Sequence, residues 1–141
     1  MKKMFVLFSH ELTEKQERDA KESLGVSSII YPPWEVQRIL MDIPAQAENV
    51  KEIIKPVIVW LESHLKVNDY VLIQGEFGTT FLLVDMVFRK GGIPIYSTTR
   101  RYHREVAYGD NVIIEKIFEH ERFRIYESYD TAGKESYDRK G

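Results

Sequence analysis

The amino-acid sequence predicts an α/β protein: a mainly parallel sheet with flanking helices, followed by a C-terminal β-hairpin. Short, almost wholly apolar runs alternate with helical patterns over the first two thirds of the chain, which is typical of parallel strands covered on both faces. The last third carries two strand-like runs around Gly109 and Asp110, a residue pair that favours a two-residue hairpin turn. The apolar alternation changes phase near residues 119–121, which predicts a bulge or a new strand.

The individual elements follow from local signals. Thr13 and Gln16 form a capping box that starts a helix, and Gly25 is suited to end that helix in the left-handed conformation. A long apolar stripe starts at Val50, and Pro56 within it predicts a kink or a helix start. The predicted strands are residues 4–8, 26–31, 70–75, 93–97, 102–108 and 112–118, and the predicted helices are residues 14–24, 34–43, 50–65 and 79–90.

Length and composition favour one soluble domain. The 141 residues are 43% apolar and 30% charged, which is ordinary for a globular fold. We expect a single domain over residues 1–126 and a disordered tail over residues 127–141, because the tail has no aliphatic residue larger than alanine. No apolar run reaches the ~18 residues of a membrane helix, so no membrane partner is expected. The absence of cysteine agrees with a reducing, cytoplasmic location.

Polar and basic residues follow three of the predicted strands. In open α/β sheets, ligands bind beyond the carboxyl ends of the strands, so these residues are expected to share one edge of the sheet, which we call the rim. The rim residues are Ser9 and His10 after the first strand, Gln74, Gly75, Glu76, Phe77, Gly78, Thr79 and Thr80 after the third, and Ser97, Thr98, Thr99, Arg100 and Arg101 after the fourth.

The rim has the chemistry of an anion site. Its glycines let a backbone approach a ligand, its hydroxyls and helix amides donate hydrogen bonds, and its arginines suit phosphate. Residues 89–104 contain five positive residues and no acidic one, although the whole chain has a net charge of −2. The overall charge argues against a protein that coats long nucleic acid, so we expect a compact phosphate or phosphodiester ligand.

Each rim residue also has a purely structural interpretation. The two glycines suit an ordinary strand-to-helix turn, and the two arginines suit the solvated base of a hairpin. Ser97 and Thr98 suit positions inside a strand, and His10 suits either a site or a structural role. No spacing of histidines and carboxylates predicts a metal site. The remaining histidines are expected at the surface: His64, His103 and His120.

Three segments of the chain are similar to one known family. They are FVLFSHELT (5–13), YVLIQGEFGTTF (70–81) and IPIYSTTRR (93–101). In this order they resemble the small CRISPR-associated proteins of the Csx type, which belong with the CARF-like ring nucleases, and the similarity covers roughly residues 1–126. The resemblance implies a Rossmann-like sheet and a homodimer that binds cyclic oligoadenylate, with cyclic tetra-adenylate as the first candidate.

The resemblance also implies a reaction that needs neither metal nor cofactor. The ribose 2′-hydroxyl attacks the adjacent phosphorus, and linear di-adenylate with a 2′,3′-cyclic phosphate end is released, which switches off type III CRISPR signalling. Members of the family differ in their catalytic residues, so no set is carried over. From the rim we expect His10 as general acid or base, Arg100 or Arg101 as stabiliser of phosphate charge, and Thr98 and Thr99 as orienting groups.

Two further functions remain open at this level. One is a binding protein without catalysis, which sequesters or senses cyclic oligoadenylate. The other does not depend on the resemblance and is a small α/β protein that binds a mononucleotide or a phosphorylated metabolite.

Overall fold

The computed structural model of the protein describes residues 2–130, which form one five-stranded sheet and four helices. The strands are β1 (Lys2–Phe8), β2 (Val26–Ile30), β3 (Tyr70–Gln74), β4 (Ile93–Tyr108) and β5 (Asn111–Ile125). The helices are α1 (Glu14–Leu24), α2 (Trp34–Met41), α3 (Lys55–His64) and α4 (Phe77–Arg89). The sheet order is β2-β1-β3-β4-β5, with β5 antiparallel to β4 and the other pairs parallel. The predicted α/β class is confirmed.

The helix ends follow the signals in the sequence. Thr13 Oγ1 accepts a hydrogen bond from Gln16 N at 3.2 Å, and Gln16 Oε1 accepts one from Thr13 N at 2.9 Å. Gly25 ends α1 with a φ of 70°, a conformation that a side chain would disfavour. Pro56 lies in the first turn of α3, so the apolar stripe contains a helix start rather than a kink. No helix within residues 2–130 has the length and apolar character needed to cross a membrane.

Several elements differ from their predicted bounds. Helix α2 ends at Met41 rather than at residue 43, helix α3 begins at Lys55 rather than at residue 50, and strand β5 runs to Ile125 rather than to residue 118. Helix α4 begins at Phe77 rather than at Thr79, because Glu76, the residue just before Phe77, caps the helix. Strand β4 continues without interruption to Tyr108, because β5 pairs with it along the whole length and no turn-forming residue separates the two predicted strands. The predicted bulge is confirmed: Thr98 pairs with Arg122 and Thr99 with His120, so one residue of β5 is extra.

The sheet is covered on both faces. Along β1, Phe5 and Leu7 face a core formed with α2, α3 and α4, whereas Met4 and Val6 face a second core formed with α1 and the start of β4. Burial on both faces explains why the two central strands are apolar along residues 4–7 of β1 and 70–73 of β3. Of the predicted tail, residues 127–130 follow β5 along the surface, and residues 131–141 lie outside the described part of the chain.

Candidate functional site

The strand ends that define the rim meet at one edge of the sheet. Phe8 and Gln74 are direct neighbours at the ends of β1 and β3, which brings Ser9 beside Gly75. Strand β3 pairs with β4 as far as Leu72 and Ile95, and Gln74 Oε1 then accepts a hydrogen bond from the backbone N–H of Ser97 at 2.7 Å. The predicted convergence of the three segments is therefore what the strand registers show.

The N-terminus of α4 holds a carboxylate of its own. Glu76 accepts hydrogen bonds from the Thr79 hydroxyl at 2.7 Å, from Thr79 N at 2.8 Å and from Gly78 N at 3.1 Å. These bonds, that of the Thr79 hydroxyl first, lower the pKa of Glu76 below its ordinary value. The expectation that these amides are open to an anionic ligand is thus wrong for Gly78 and Thr79, because a ligand would have to displace Glu76. The signal in the sequence was an acidic residue at the cap position.

Two predicted hydroxyl donors are bonded inside the protein. Ser97 is buried, and its hydroxyl oxygen accepts from Gln16 Nε2 at 3.3 Å and lies 2.5 Å from His120 Nδ1. Thr98 Oγ1 donates to Arg122 O at 3.0 Å and accepts from Arg122 N at 3.2 Å, which bridges the bulge. In contrast, Thr99 and His10 are exposed, so their side chains are accessible to a ligand.

A buried chain of polar side chains links α1 to the base of the hairpin. His120 Nε2 donates to Asp19 Oδ2 at 2.7 Å, and the other ring nitrogen faces Ser97. Burial acts to raise the pKa of Asp19, but hydrogen bonds from Ser23 and His120 outweigh it and the pKa is lowered. An ionised Asp19 accepts only, so the His120 ring carries a proton on Nε2. We call Asp19, His120 and Ser97 the clasp.

The clasp corrects one expectation and supplies residues that the sequence analysis missed. His120 is 7% exposed, so the prediction that it lies at the surface is wrong. His64 and His103 are exposed, as predicted. The reason is the bulge beside His120, since an extra residue re-aims the neighbouring side chains. The phase change at residues 119–121 was the available signal. Within residues 2–130 no group of three or more His, Asp or Glu side chains is placed to hold a metal ion.

The five positive residues between Arg89 and Arg104 do not form one patch. Arg89 pairs with Asp85 at 3.0 Å and Lys90 with Glu62 at 3.2 Å, both at the end of α4 remote from the rim. Arg104 pairs with Glu115 at 2.7 Å on the hairpin. Of the five, Arg100 and Arg101 follow Ser97 on β4, where Arg100 lies opposite Glu119 and Arg101 opposite Phe118 on β5.

Strand β5 brings two more cations beside β4. Arg122 lies opposite Thr98 and Arg124 opposite Tyr96, and the Arg124 guanidinium lies 5.6 Å from the centre of the Tyr96 ring. Arg101 lies 5.5 Å from the centre of the Phe118 ring in the same manner. The sequence analysis did not place Arg122 and Arg124 near the rim, because the pairing register of the hairpin decides which residues face each other.

A groove of about 940 Å³ begins at the rim and runs along α4. Phe77 and Phe81 line it and are 92% and 73% exposed. On the opposite side lies Tyr126, whose hydroxyl donates to Ile73 O at 2.6 Å and whose ring stacks near Tyr96 at 4.6 Å. The groove thus offers exposed aromatic rings beside the strand ends, where a planar ligand group could stack.

Gln37 is a polar residue of α2 that lies next to the end of β1. Its Nε2 donates to Phe8 O at 2.8 Å, and its Oε1 is the buried side-chain acceptor within residues 2–130 that has no hydrogen-bond partner. Buried polar atoms are nearly always satisfied, so this oxygen is an exception within the described residues. Gln37 lies on α2, and no motif in the sequence pointed to it.

The fold and the rim together define an α/β protein with a candidate ligand site at the ends of its parallel strands. The chain belongs to the family described as the uncharacterized protein MJ1673 family, whose profile matches residues 2–124. It is 44% identical over 129 residues to uncharacterized protein MJ1673 of Methanocaldococcus jannaschii, which covers 92% of this chain and 100% of that relative. No solved structure matches the chain. The matched range includes the rim, the clasp and the hairpin.

Proposed function

We propose that this protein is a ring nuclease of type III CRISPR systems, with a Rossmann-like sheet and a cytoplasmic location. It binds cyclic oligoadenylate, with cyclic tetra-adenylate as the first candidate, and cleaves it to linear products. One observation carries the proposal. Residues 5–13, 70–81 and 93–101, which resemble this class, meet at one edge of the sheet, where Phe8 pairs with Gln74 and the Ser97 N–H donates to Gln74 Oε1.

The groups around the rim suit the parts of such a ring. Phosphates need cations with planar donor sets, and Arg100 and Arg101 supply them, with Arg122 close by on β5. Adenine bases stack on exposed aromatic rings, and Phe77 offers one at the mouth of the groove. A protein that recognised phosphate alone would need no exposed aromatic side chain at its site.

The symmetry of the ligand favours a homodimer. Cyclic tetra-adenylate has a two-fold axis, and an isologous dimer has one as well. Two copies of the rim around one ring would each hold half of it, so that two arginine pairs face four phosphates. Cleavage at two symmetry-related bonds then releases two di-adenylates.

In the proposed reaction the ribose 2′-oxygen forms a bond to the adjacent phosphorus, and the bond from phosphorus to the 5′-oxygen breaks. The proton of the 2′-hydroxyl passes to a base, and the 5′-oxygen takes up a proton. The step therefore consumes no water and needs no metal ion. His10 is exposed beside the end of β1 and serves as the acid or base. Thr99 orients the ribose or phosphate, and Arg100 stabilises the charge on the non-bridging oxygens.

The alternative is a protein that binds the ring without cleaving it. One observation favours this alternative: Glu76 occupies the first amides of α4, and the hydroxyls of Ser97 and Thr98 are bonded internally. Fewer rim groups are then available to a reacting phosphate than the sequence suggests. Such a protein would sequester or sense the messenger.

Cleavage of cyclic tetra-adenylate in the presence of EDTA tests the proposal. Purified protein is incubated with a large excess of the ring, and the products are resolved by liquid chromatography and mass spectrometry. We expect linear di-adenylate with a 2′,3′-cyclic phosphate end, formed over many turnovers. Recovery of intact ring with stoichiometric binding would support the binding protein instead. Activity that is lost in EDTA and restored by Mg²⁺ would contradict the metal-free reaction, and binding of a mononucleotide alone would contradict both.

Arg100→Ala is expected to weaken binding of cyclic tetra-adenylate by roughly 10–100-fold, because one charge-assisted hydrogen-bonded contact contributes about 1.5–3 kcal/mol. The dissociation constant is measured by isothermal titration calorimetry, and the single-turnover rate at saturating protein should change less. Arg101→Ala should act in the same direction. The matched control is Arg89→Ala, because Arg89 is exposed and pairs with Asp85 away from the rim. Equal losses in Arg100→Ala and Arg89→Ala would contradict a local contact.

A further inference from the structure

The outer part of the hairpin extends beyond the sheet. Strand β3 pairs with β4 as far as Ile95, and from Thr99–His120 to Tyr108–Asn111 the described part of the chain pairs β4 with β5 alone. We call residues 99–120 the arm. Its base is attached to α1 through the ion pair of Lys15 with Glu119 and through the clasp. Beyond the base, residues 100–105 and 107–114 are exposed. A two-stranded ribbon without cover is only marginally stable in water.

Both faces of the arm carry exposed apolar side chains among charged ones. Because side chains alternate along a strand and paired residues share a face, the strand register assigns each residue to one face. The first face presents the apolar residues Tyr102, Val106, Tyr108, Ile113 and Ile117, and the second presents Ala107, Val112, Ile114 and Phe118. Apolar side chains that are exposed on both faces of a ribbon indicate an interaction site.

The charges of the arm favour a second copy of this chain as the partner. The arm contains four positive residues (Arg100, Arg101, Arg104, Lys116) and four negative ones (Glu105, Asp110, Glu115, Glu119), so its net charge is 4 − 4 = 0. A surface for nucleic acid or anionic lipid would carry a positive excess. On the first face, Arg104 and Glu115 form an ion pair between the apolar residues. A two-fold axis parallel to the strands would place Arg104 of one copy opposite Glu115 of the other, which makes the face complementary to itself.

The size of the arm indicates how the two copies bind. Ten residue pairs span nine steps, so the ribbon is about 30 Å long and one face of its two strands covers about 300 Å². A stable interface buries about 800 Å² on each partner, more than one face supplies. An interface that uses both faces comes much closer to that area.

From these observations we infer that the arm is the dimerisation element of this protein. In the dimer, both faces of each arm contact the other copy. The arm shares Thr99, Arg100 and Arg101 with the proposed site, but the inference does not depend on the cleavage reaction. A dimer that does not cleave cyclic oligoadenylate would leave the inference standing. A monomer that cleaves cyclic oligoadenylate would overturn the inference but not the proposed reaction.

Sedimentation equilibrium and light scattering over a range of protein concentrations test the inference. We expect the full chain to have twice its 16.6 kDa mass. Ile113→Lys and Ile114→Lys place a charge on the first and on the second face, and each is expected to raise the dimer dissociation constant by at least about tenfold. The matched control is Val59→Lys on α3, because Val59 is 54% exposed and Ile113 and Ile114 are 45% and 64% exposed. The control should stay dimeric.

A second set of variants guards against unfolding of the arm. Ile113→Thr and Ile114→Thr keep a β-branched side chain and should weaken the dimer in the same order, with circular dichroism spectra equal to that of the control. A wild-type chain that is monomeric at about 100 µM would overturn the inference. Arm variants that dimerise like the wild type, or a loss confined to one face, would overturn it as well. A monomer that binds RNA or anionic vesicles through the arm would assign the surface to another partner.

Discussion

Replacing His10 by alanine is expected to slow the cleavage of cyclic tetra-adenylate by roughly 10²–10⁴-fold, with binding nearly unchanged. The imidazole is the side chain whose charge changes near neutral pH, which suits it to transfer the proton of the 2′-hydroxyl. His10 is exposed directly after β1, and the edge of its ring rests on Phe8 with a centroid distance of 5.5 Å. Since no buried group depends on it, the variant should fold normally.

The His10 prediction is checked by single-turnover rates with labelled ring and by binding measured separately. His64→Ala is the matched control, because His64 is also an exposed histidine and lies at the end of α3. Added imidazole should restore part of the rate of His10→Ala and leave His64→Ala unchanged. A wild-type rate in His10→Ala removes this residue from the mechanism, and a loss confined to the dissociation constant assigns it to binding.

The elements of the fold could be read from the sequence because each has a local cause. Thr13 and Gln16 satisfy each other across one helical turn, and Gly25 ends the same helix, so no information from the rest of the chain is needed. The buried strands were evident because a strand covered on both faces is apolar at every position. The position of the rim followed from strand order, since parallel strands end on the same side.

The partners of the polar side chains could not be read in this way, because distant segments decide them. Asp19 and His120 are 101 residues apart, and their contact depends on the bulge and on the packing of α1 against β5. The charge count between Arg89 and Arg104 misled for the same reason. It ignored Asp85 and Glu62, which neutralise two of those cations. A pattern shows which chemistry is present, but the fold decides which groups are already satisfied.

The length of β4 shows a third limit. Residues 97–101 were expected to end one strand at the rim, and they are instead the middle of a strand that continues into the arm. Propensity favours a strand on either side of Arg100 and Arg101 but does not state whether the two strands are one. Pairing with β5 makes them one, and as a result the rim and the proposed dimer surface lie on the same ribbon.

Loss of the clasp should destabilise the fold more than substitution of an exposed rim residue. His120→Ala is expected to lower the free energy of unfolding by roughly 2–4 kcal/mol, because it leaves a cavity and removes a hydrogen-bond partner of the buried Ser97. The His120 ring also packs on Phe123 with a centroid distance of 4.6 Å. Urea denaturation at neutral pH measures the change, and His103→Ala on the exposed arm should stay within about 0.5 kcal/mol of the wild type.

The contribution of Asp19 should depend on pH in one direction. Because its pKa is lower in the folded protein than the value of about 3.9 in an unfolded chain, the stabilisation is complete above that value and is lost as the pH falls through the folded pKa. Asp19→Asn removes the titrating group, so the stability difference from the wild type should shrink below about pH 4.

Asp19→Ala combined with His120→Ala should lower the free energy of unfolding by less than the sum of the two single changes, because both remove the same bond. Additive costs would show that Asp19 and His120 stabilise the protein separately, and then the clasp would not be what attaches the base of the arm to α1.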